Sequence, residues 1–303
     1  QTAAYSLTAL TALIIVIRKS AFRKLSWNWP FFIMIIKQSY PFALLALLMS
    51  FYNRIDSVMI ERLLPDPLGK EQATVYASAF RLLDASNMIA YLFAVLLLPI
   101  FSRMIKNGEK VIHMVRLSFS LLVTISVIVA LGSFFYSYQI IDLLYWHHVD
   151  ESAAVFSKLM FGFFAISTSY IFGTLLTANG NLKQLNIIAA SSMLLALALN
   201  FILIPRFYAL GSAWASIITQ FISAGLQVFM AFRIFKFKPD KVFISKILFF
   251  VIGVIGLNLL SFLLPFDWKI NFVLMLFAAI SLSFIMKLLN LKSLKLIIFS
   301  RAD

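Results

Sequence analysis

The chain has 303 residues, of which 62% are hydrophobic and only 13% charged, about half the charged share of an ordinary soluble domain. At a mean hydropathy of +0.96 it holds more apolar side chain than a soluble core can bury, which excludes a secreted enzyme, a nucleic-acid-binding domain and a disordered tail. The net charge of +14 is dispersed in short runs between apolar stretches, and the absence of cysteine removes disulfides, thiolate chemistry and Cys-based metal sites. The chain therefore reads as a polytopic membrane protein.

The first apolar run begins at Gln1, without a Met or a basic leader, and this reads as the C-terminal part of a longer protein. Nine runs are long enough to cross about 30 Å of hydrocarbon. They lie at 2–17, 35–60, 74–102, 113–141, 153–178, 184–204, 208–232, 243–264 and 270–290. All read as helices, because a transmembrane strand needs only about ten residues and strict alternation. The second, third and fourth exceed the bilayer's requirement and are expected to tilt or to project into the headgroups. Asn179-Gly180-Asn181 joins the fifth and sixth runs as a tight helical hairpin, Pro205 ends the sixth, and Pro265-Phe266-Asp267-Trp268 turns the chain between the last two. Trp29, Tyr145, Trp146 and Trp268 stand near span ends, where aromatic side chains anchor to the interface. Small residues at Ala189-Ala190-Ser191-Ser192, at Gly211-Ser212-Ala213, and at Ala215 and Ser216 allow helices to approach closely.

Lysine and arginine collect in alternate loops. One side holds Arg18, Lys19, Arg23 and Lys24, then Arg103, Lys106 and Lys110, then Lys183. The same side holds Arg233, Lys236, Lys238 and Lys241, and the tail residues Lys287, Lys292, Lys295 and Arg301. The opposite loops carry only Arg62, Lys70, Arg206 and Lys269, together with most of the acidic residues. By the positive-inside rule the first set is cytoplasmic, and so is the C-terminus.

Charges inside the spans are the informative residues. Arg54 and Asp56 fall in the second run, and Arg81 and Asp84 in the third. Each costs about 2.5–3.5 kcal/mol at mid-membrane, roughly 10–14 kcal/mol for four, so they must pair, meet water or lie shallow. Arg81 and Asp84 share a helix face, and Asn87 and Tyr91 continue the polar stripe. Arg54 and Asp56 are two apart and point to nearly opposite sides. Cross-helix pairs of Arg54 with Asp84, or of Asp56 with Arg81, are one reading, and a polar water-filled pathway is the other. Lys37, Arg116, Lys158 and Lys246 lie near span ends and can snorkel. Gln139, Asn186, Asn200, Gln220 and Gln227 read as interhelical hydrogen-bond partners. His147-His148, near Asp142, Asp150 and Glu151, reads as a solvated loop, since adjacent histidines do not readily face one ion. No metal and no cofactor are expected.

Residues 40–64, YPFALLALLMSFYNRIDSVMIERLL, and 76–104, YASAFRLLDASNMIAYLFAVLLLPIFSRM, resemble the start of the second lobe of Wzx-like lipid-linked oligosaccharide flippases. These belong to a superfamily that also holds lipid II flippases and multidrug exporters. Residues 175–220 are similar to that family's succession of hairpin, Asn-containing helix, proline end and small-residue helix. The resemblance covers almost the whole chain. It implies an all-α polytopic bundle that is part of a two-lobed, fourteen-span transporter. Residues 1–17 would then be the last span of the first lobe and 18–34 a cytoplasmic linker. Residues 35–232 would form a second lobe of six spans, and 233–303 two additional spans with a basic tail.

The resemblance further implies alternating access in a bacterial inner membrane, serving O-antigen or capsule synthesis. The cargo would be an oligosaccharide on undecaprenyl diphosphate, and the protein would be a monomer working beside the polysaccharide polymerase machinery. Arg54 and Arg81 would bind the diphosphate, which a planar guanidinium holds bidentately. Asp56, Asp84 and Asn87 would be polar cavity or coupling residues. A cation-coupled multidrug exporter is the alternative, which the arginines disfavour because a cationic drug calls for carboxylates. A membrane glycan polymerase or acyltransferase would need catalytic residues on sizeable loops. The longest external loop is about a dozen residues, so no enzyme activity is expected. A scaffold would need no charges within its spans.

Overall fold

The computed structural model describes residues 2–19 and 28–289. Arg23 and Lys24 of the linker, and Lys292, Lys295 and Arg301 of the tail, lie outside the described residues. Among the described residues nine helices follow one another: α1 (Thr2–Lys19), α2 (Trp29–Leu63), α3 (Leu68–Lys106), α4 (Ile112–Phe135), α5 (Ser137–Leu144), α6 (Val149–Ala178), α7 (Leu182–Phe235), α8 (Lys241–Ser261) and α9 (Trp268–Ile285). Among the described residues there is no strand. Helices prevail because a hydrocarbon solvent offers no partner for backbone N–H and C=O, and a helix satisfies both within one segment.

The chain divides into two compact units at Pro41, a proline inside α2. The first, Gln1–Pro41, holds α1 and the beginning of α2, and its described side chains other than Pro41 are exposed. The second, Phe42–Asp303, is a bundle in which α6 lies centrally, packed on α3, α4 and α7. Its main core joins Leu83, Leu97 and Phe101 of α3 with Leu122 of α4, Phe163 and Leu175 of α6, and Ile204 and Ala213 of α7. A second cluster, Val123 and Val127 with Phe250, Val254, Met275 and Ala279, fastens α8 and α9 to α4. The join is reinforced by an Arg116–Asp240 ion pair at 3.0 Å. Large apolar residues such as Leu194, Phe229, Leu248 and Phe277 point outward, as side chains solvated by lipid do.

Among the described residues seven helices are long and apolar enough to cross a membrane. One of them is long enough to cross twice. A straight α7 of 54 residues would be about 80 Å long, far beyond a bilayer. Instead Tyr208 takes a non-helical conformation (φ 54°, ψ −134°), and the backbone of Gly211 closes on that of Leu203, so 182–207 and 209–235 fold back on each other. The runs expected at 184–204 and 208–232 are therefore separate, but Pro205 lies within the helix instead of ending it, and the reversal comes three residues later. The first predicted span is represented by the shorter apolar helix Ser6–Arg18.

The predicted fourth span is not one helix. The chain bends at Tyr136 (φ −106°, ψ 22°), separating α4 from α5. The Tyr136 ring is buried in the second cluster, and its hydroxyl lies 2.5 Å from Ser261 Oγ of α8. The hairpin at Asn179–Asn181 forms as expected, with Gly180 at φ 80°. At the last turn Asp267 caps α9 by accepting from Lys269 N.

Candidate functional site

Helix periodicity brings four polar side chains into the bundle from three helices. On α2, Asp56 precedes buried Met59 and Ile60 by three and four residues and shares their inward face. On α3, Tyr76 lies on the stripe of Ala79 and Leu83. On the first arm of α7, Asn200 sits between Ala196 and Ile204; on the second, Ser216 sits between Ser212 and Thr219. All four are buried. The α7 reversal is what lets Asn200 and Ser216 reach the same group, since sixteen residues of straight helix would hold them about 24 Å apart.

That group is the Asp56 carboxylate. Its Oδ2 accepts from Tyr76 Oη at 2.6 Å and from Ser216 Oγ at 2.6 Å, and its Oδ1 accepts from Asn200 Nδ2 at 2.8 Å. The two hydroxyls lie 3.3 Å apart. The described residues form two ion pairs, Lys70–Asp66 and Arg116–Asp240. Asp56 is thus a buried carboxylate held by three neutral donors, where intramembrane carboxylates ordinarily pair with a cation or mark a functional site.

Nearby, Gln72 of α3 ties the α7 reversal to α6. Its Oε1 accepts from Ala209 N at 3.1 Å, and its Nε2 donates to Glu151 Oε2 at 2.6 Å. The backbone N–H freed at the kink thereby has a partner.

A cavity of about 350 Å³ opens between α2, α3, α6 and both arms of α7. Leu45 and Met49 bound it on α2, Asn87 and Tyr91 on α3, Tyr170 and Thr174 on α6, and Ser192, Gln220 and Gln227 on α7. Among the described residues, none that lines it carries a charge. Tyr91 and Tyr170 meet edge to face, with centroids 6.4 Å apart. Glycines shape the α6 wall: a Cβ on Gly162 would stand 2.1 Å from Gln220 Oε1, and one on Gly173 would stand 2.8 Å from Gln227 Oε1.

The residues singled out from sequence fall in three places. Asp56 is the buried acceptor just described. Arg54, Arg81 and Asp84 are exposed and do not line the cavity. Asn87 does line it, one turn below Asp84. The polar stripe on α3 thus runs from exposed Arg81 and Asp84 into the cavity at Asn87 and Tyr91. The cross-helix pairs Arg54–Asp84 and Asp56–Arg81 are not among the ion pairs of the described residues. Hydroxyls and an amide satisfy Asp56 instead.

Sequence reasoning passed over Tyr76 and Tyr170, and took Ser216 for a packing residue. The available signal was chemical: a carboxylate in an apolar helix needs donors, and polar residues in other spans must supply them.

The sequence profile of a family described as polysaccharide biosynthesis protein matches residues 2–154, half of the chain. No curated protein matches it. Among solved structures, a lipid II flippase, MurJ, in an inward closed conformation superposes with a TM-score of 0.66 at 17% identity. The match covers 95% of this chain and 59% of that one, so this chain spans little more than half of that protein's length. At such identity the likeness is one of fold, and it extends to nearly every helix described above.

Proposed function

The chain belongs to the polysaccharide biosynthesis protein family, and on that premise we propose that it acts in a flippase for lipid-linked oligosaccharide. The observation that carries this reading is the half-open cavity among α2, α3, α6 and α7, with hydrogen-bonding side chains at the depth of the spans. A scaffold has no need to keep such groups at a hollow in hydrocarbon, where polar atoms are costly.

In the finer reading, an oligosaccharide on undecaprenyl diphosphate passes from the cytoplasmic to the periplasmic leaflet by alternating access. The protein then resides in a bacterial inner membrane with its C-terminus in the cytoplasm, serves surface polysaccharide synthesis such as O-antigen or capsule, and transports without chemical conversion. Arg54 and Arg81, exposed on α2 and α3, are the proposed ligands of the diphosphate, outside the uncharged cavity. Asp56 is the proposed coupling group. It stands on α2 and is held at once by α3 and both arms of α7, so a proton taken up there would alter the bonds that join the three helices. Asp84 and Asn87 would guide polar cargo along the α3 stripe.

The test uses the intact gene. Its deletion should leave carrier-linked oligosaccharide accumulating on the cytoplasmic face and surface polysaccharide missing. Restoring the gene with Arg54→Ala or Arg81→Ala should not restore export, although the proteins reach the membrane in normal amount. Normal export by both variants would remove the cationic contact, and their absence from the membrane would make the arginines structural. An unchanged carrier pool with new drug sensitivity would replace the proposal with the multidrug-exporter reading.

A further inference from the structure

The cavity and the arginines do not coincide, and that separation constrains what enters the cavity. We infer that it is a subsite for an uncharged, hydroxyl-rich sugar residue of the cargo, distinct from the place where the diphosphate is held. The assignment rests on the flippase reading above and divides that cargo chemically.

Three kinds of group could enter. A diphosphate or a carboxylated sugar would shed water against a wall that offers no cation, and an unpaired charge pays heavily for that. An alkyl chain would suit the Leu45 and Met49 side, but it would seal Asn87, Tyr91, Tyr170 and Gln220 away from any hydrogen-bond partner beyond the wall itself. A neutral pyranose has both characters, with apolar C–H faces and a rim of hydroxyls that donate and accept.

The wall answers that pattern. Tyr91 and Tyr170, set at 71° to each other, present two ring surfaces at an angle, each ending in a hydroxyl. Asn87 Oδ1 and Ser192 Oγ are buried in the wall without a hydrogen-bond partner among the described residues. Rotation about one side-chain bond turns either toward a ligand. Gln220 presses its carbonyl oxygen into the notch over Gly162, which fixes the carboxamide in place as part of the wall. At about 350 Å³ the space lies at the small end of ligand cavities, ~300–1,000 Å³. It holds a short piece of glycan, with the rest of the cargo outside.

The absence of cysteine from these 303 residues provides a clean probe. Ser169→Cys, half-exposed on the cavity wall, is placed in the full-length protein lacking other cysteines, reconstituted in liposomes, and alkylated with a maleimide. Ser281→Cys, exposed on α9, is the control. Methyl cellobioside should slow alkylation at Ser169→Cys saturably, by about tenfold at ten times its dissociation constant by mass action. It should leave the control unchanged, and sodium glucuronate should not protect. Asn87→Leu, which removes an acceptor that bonds nothing else, and Gly162→Ala, which displaces only the flexible end of Gln220, should each weaken protection in a folded protein.

Equal protection by glucuronate, protection by hexanol but not by the cellobioside, or no protection at all would each overturn the assignment. Movement of carrier-linked glycan, measured with the same liposomes, keeps the two claims apart. Protection without movement defeats the flippase reading and leaves the sugar site standing. Movement without protection retains the flippase and removes the site.

Discussion

At the scale of single residues, Asp56 dominates. Its three donors come from helices that are far apart in sequence, and no lysine or arginine neutralises it within ion-pair distance among the described residues. Neutral interhelical hydrogen bonds in membranes average about 0.6 kcal/mol, whereas bonds to a charged group contribute about 1.5–3 kcal/mol. Tyr76→Phe should therefore lower stability by about 0.6–3 kcal/mol, the span between those two figures, read as a reduced unfolding midpoint in detergent. Asp56→Ala should lower it further, because Tyr76, Asn200 and Ser216 would all lose their acceptor. Asp56→Asn keeps the shape and should stay folded while losing coupled transport. A Tyr76→Phe protein as stable as the parent would mean that the carboxylate draws little from that hydroxyl. Asp56 itself was visible in the sequence as a charge in an apolar run. Its partners were not, because sequence spacing predicts neighbours along one helix, while these donors are assembled by the meeting of three.

Elements are specified less evenly. The apolar runs and their short loops could be read directly, since each run must be long enough to cross and each loop must return the chain. The break at Tyr136 could not, because α4 and α5 together form one apolar run and the interruption comes from packing against α8 and α9. The reversal in α7 was legible to within a few residues. Proline marks where helix hydrogen bonding weakens, but backbone closure is set by Gly211. A Cβ at Gly211 would stand 2.3 Å from the Leu203 carbonyl oxygen, and one at Gly69 would stand 2.7 Å from that of Glu61. Backbone does not yield as side-chain ends do, so Gly211→Ala and Gly69→Ala should each cost about 1–3 kcal/mol or more, in the range of overpacked cores. Gly225, with nothing within 4 Å, is the internal comparison. Gly225→Ala should be neutral or stabilising by roughly 0.5–1 kcal/mol, the helix preference for alanine. Equal effects at Gly211 and Gly225 would show that the close turn in α7 does not depend on the glycine.

For the molecule as a whole, orientation links the two halves of the bundle to function. The Asp56 cluster lies toward the α2–α3 connection and the α7 reversal, while the cavity residues of α6 and α7 lie toward the Asn179–Asn181 hairpin. If the basic loops face the cytoplasm, the cavity occupies the cytoplasmic half and the buried carboxylate the opposite half. Cargo would then enter beside Asn87 and Tyr91, and the coupling group would stand on the exit side. Single cysteines decide this in a chain that has none. Lys110→Cys, in the α3–α4 connection, should react with a membrane-impermeant maleimide only after the cytoplasmic membrane is opened. Lys269→Cys, at the start of α9, should react in intact spheroplasts. The positive-inside rule weighs lysine and arginine in short loops of the kind that dominate here, and losing one lysine from either side leaves a large imbalance of the same sign. The reverse labelling pattern would place the cavity on the external side, and the direction of the proposed transport would have to be reversed with it.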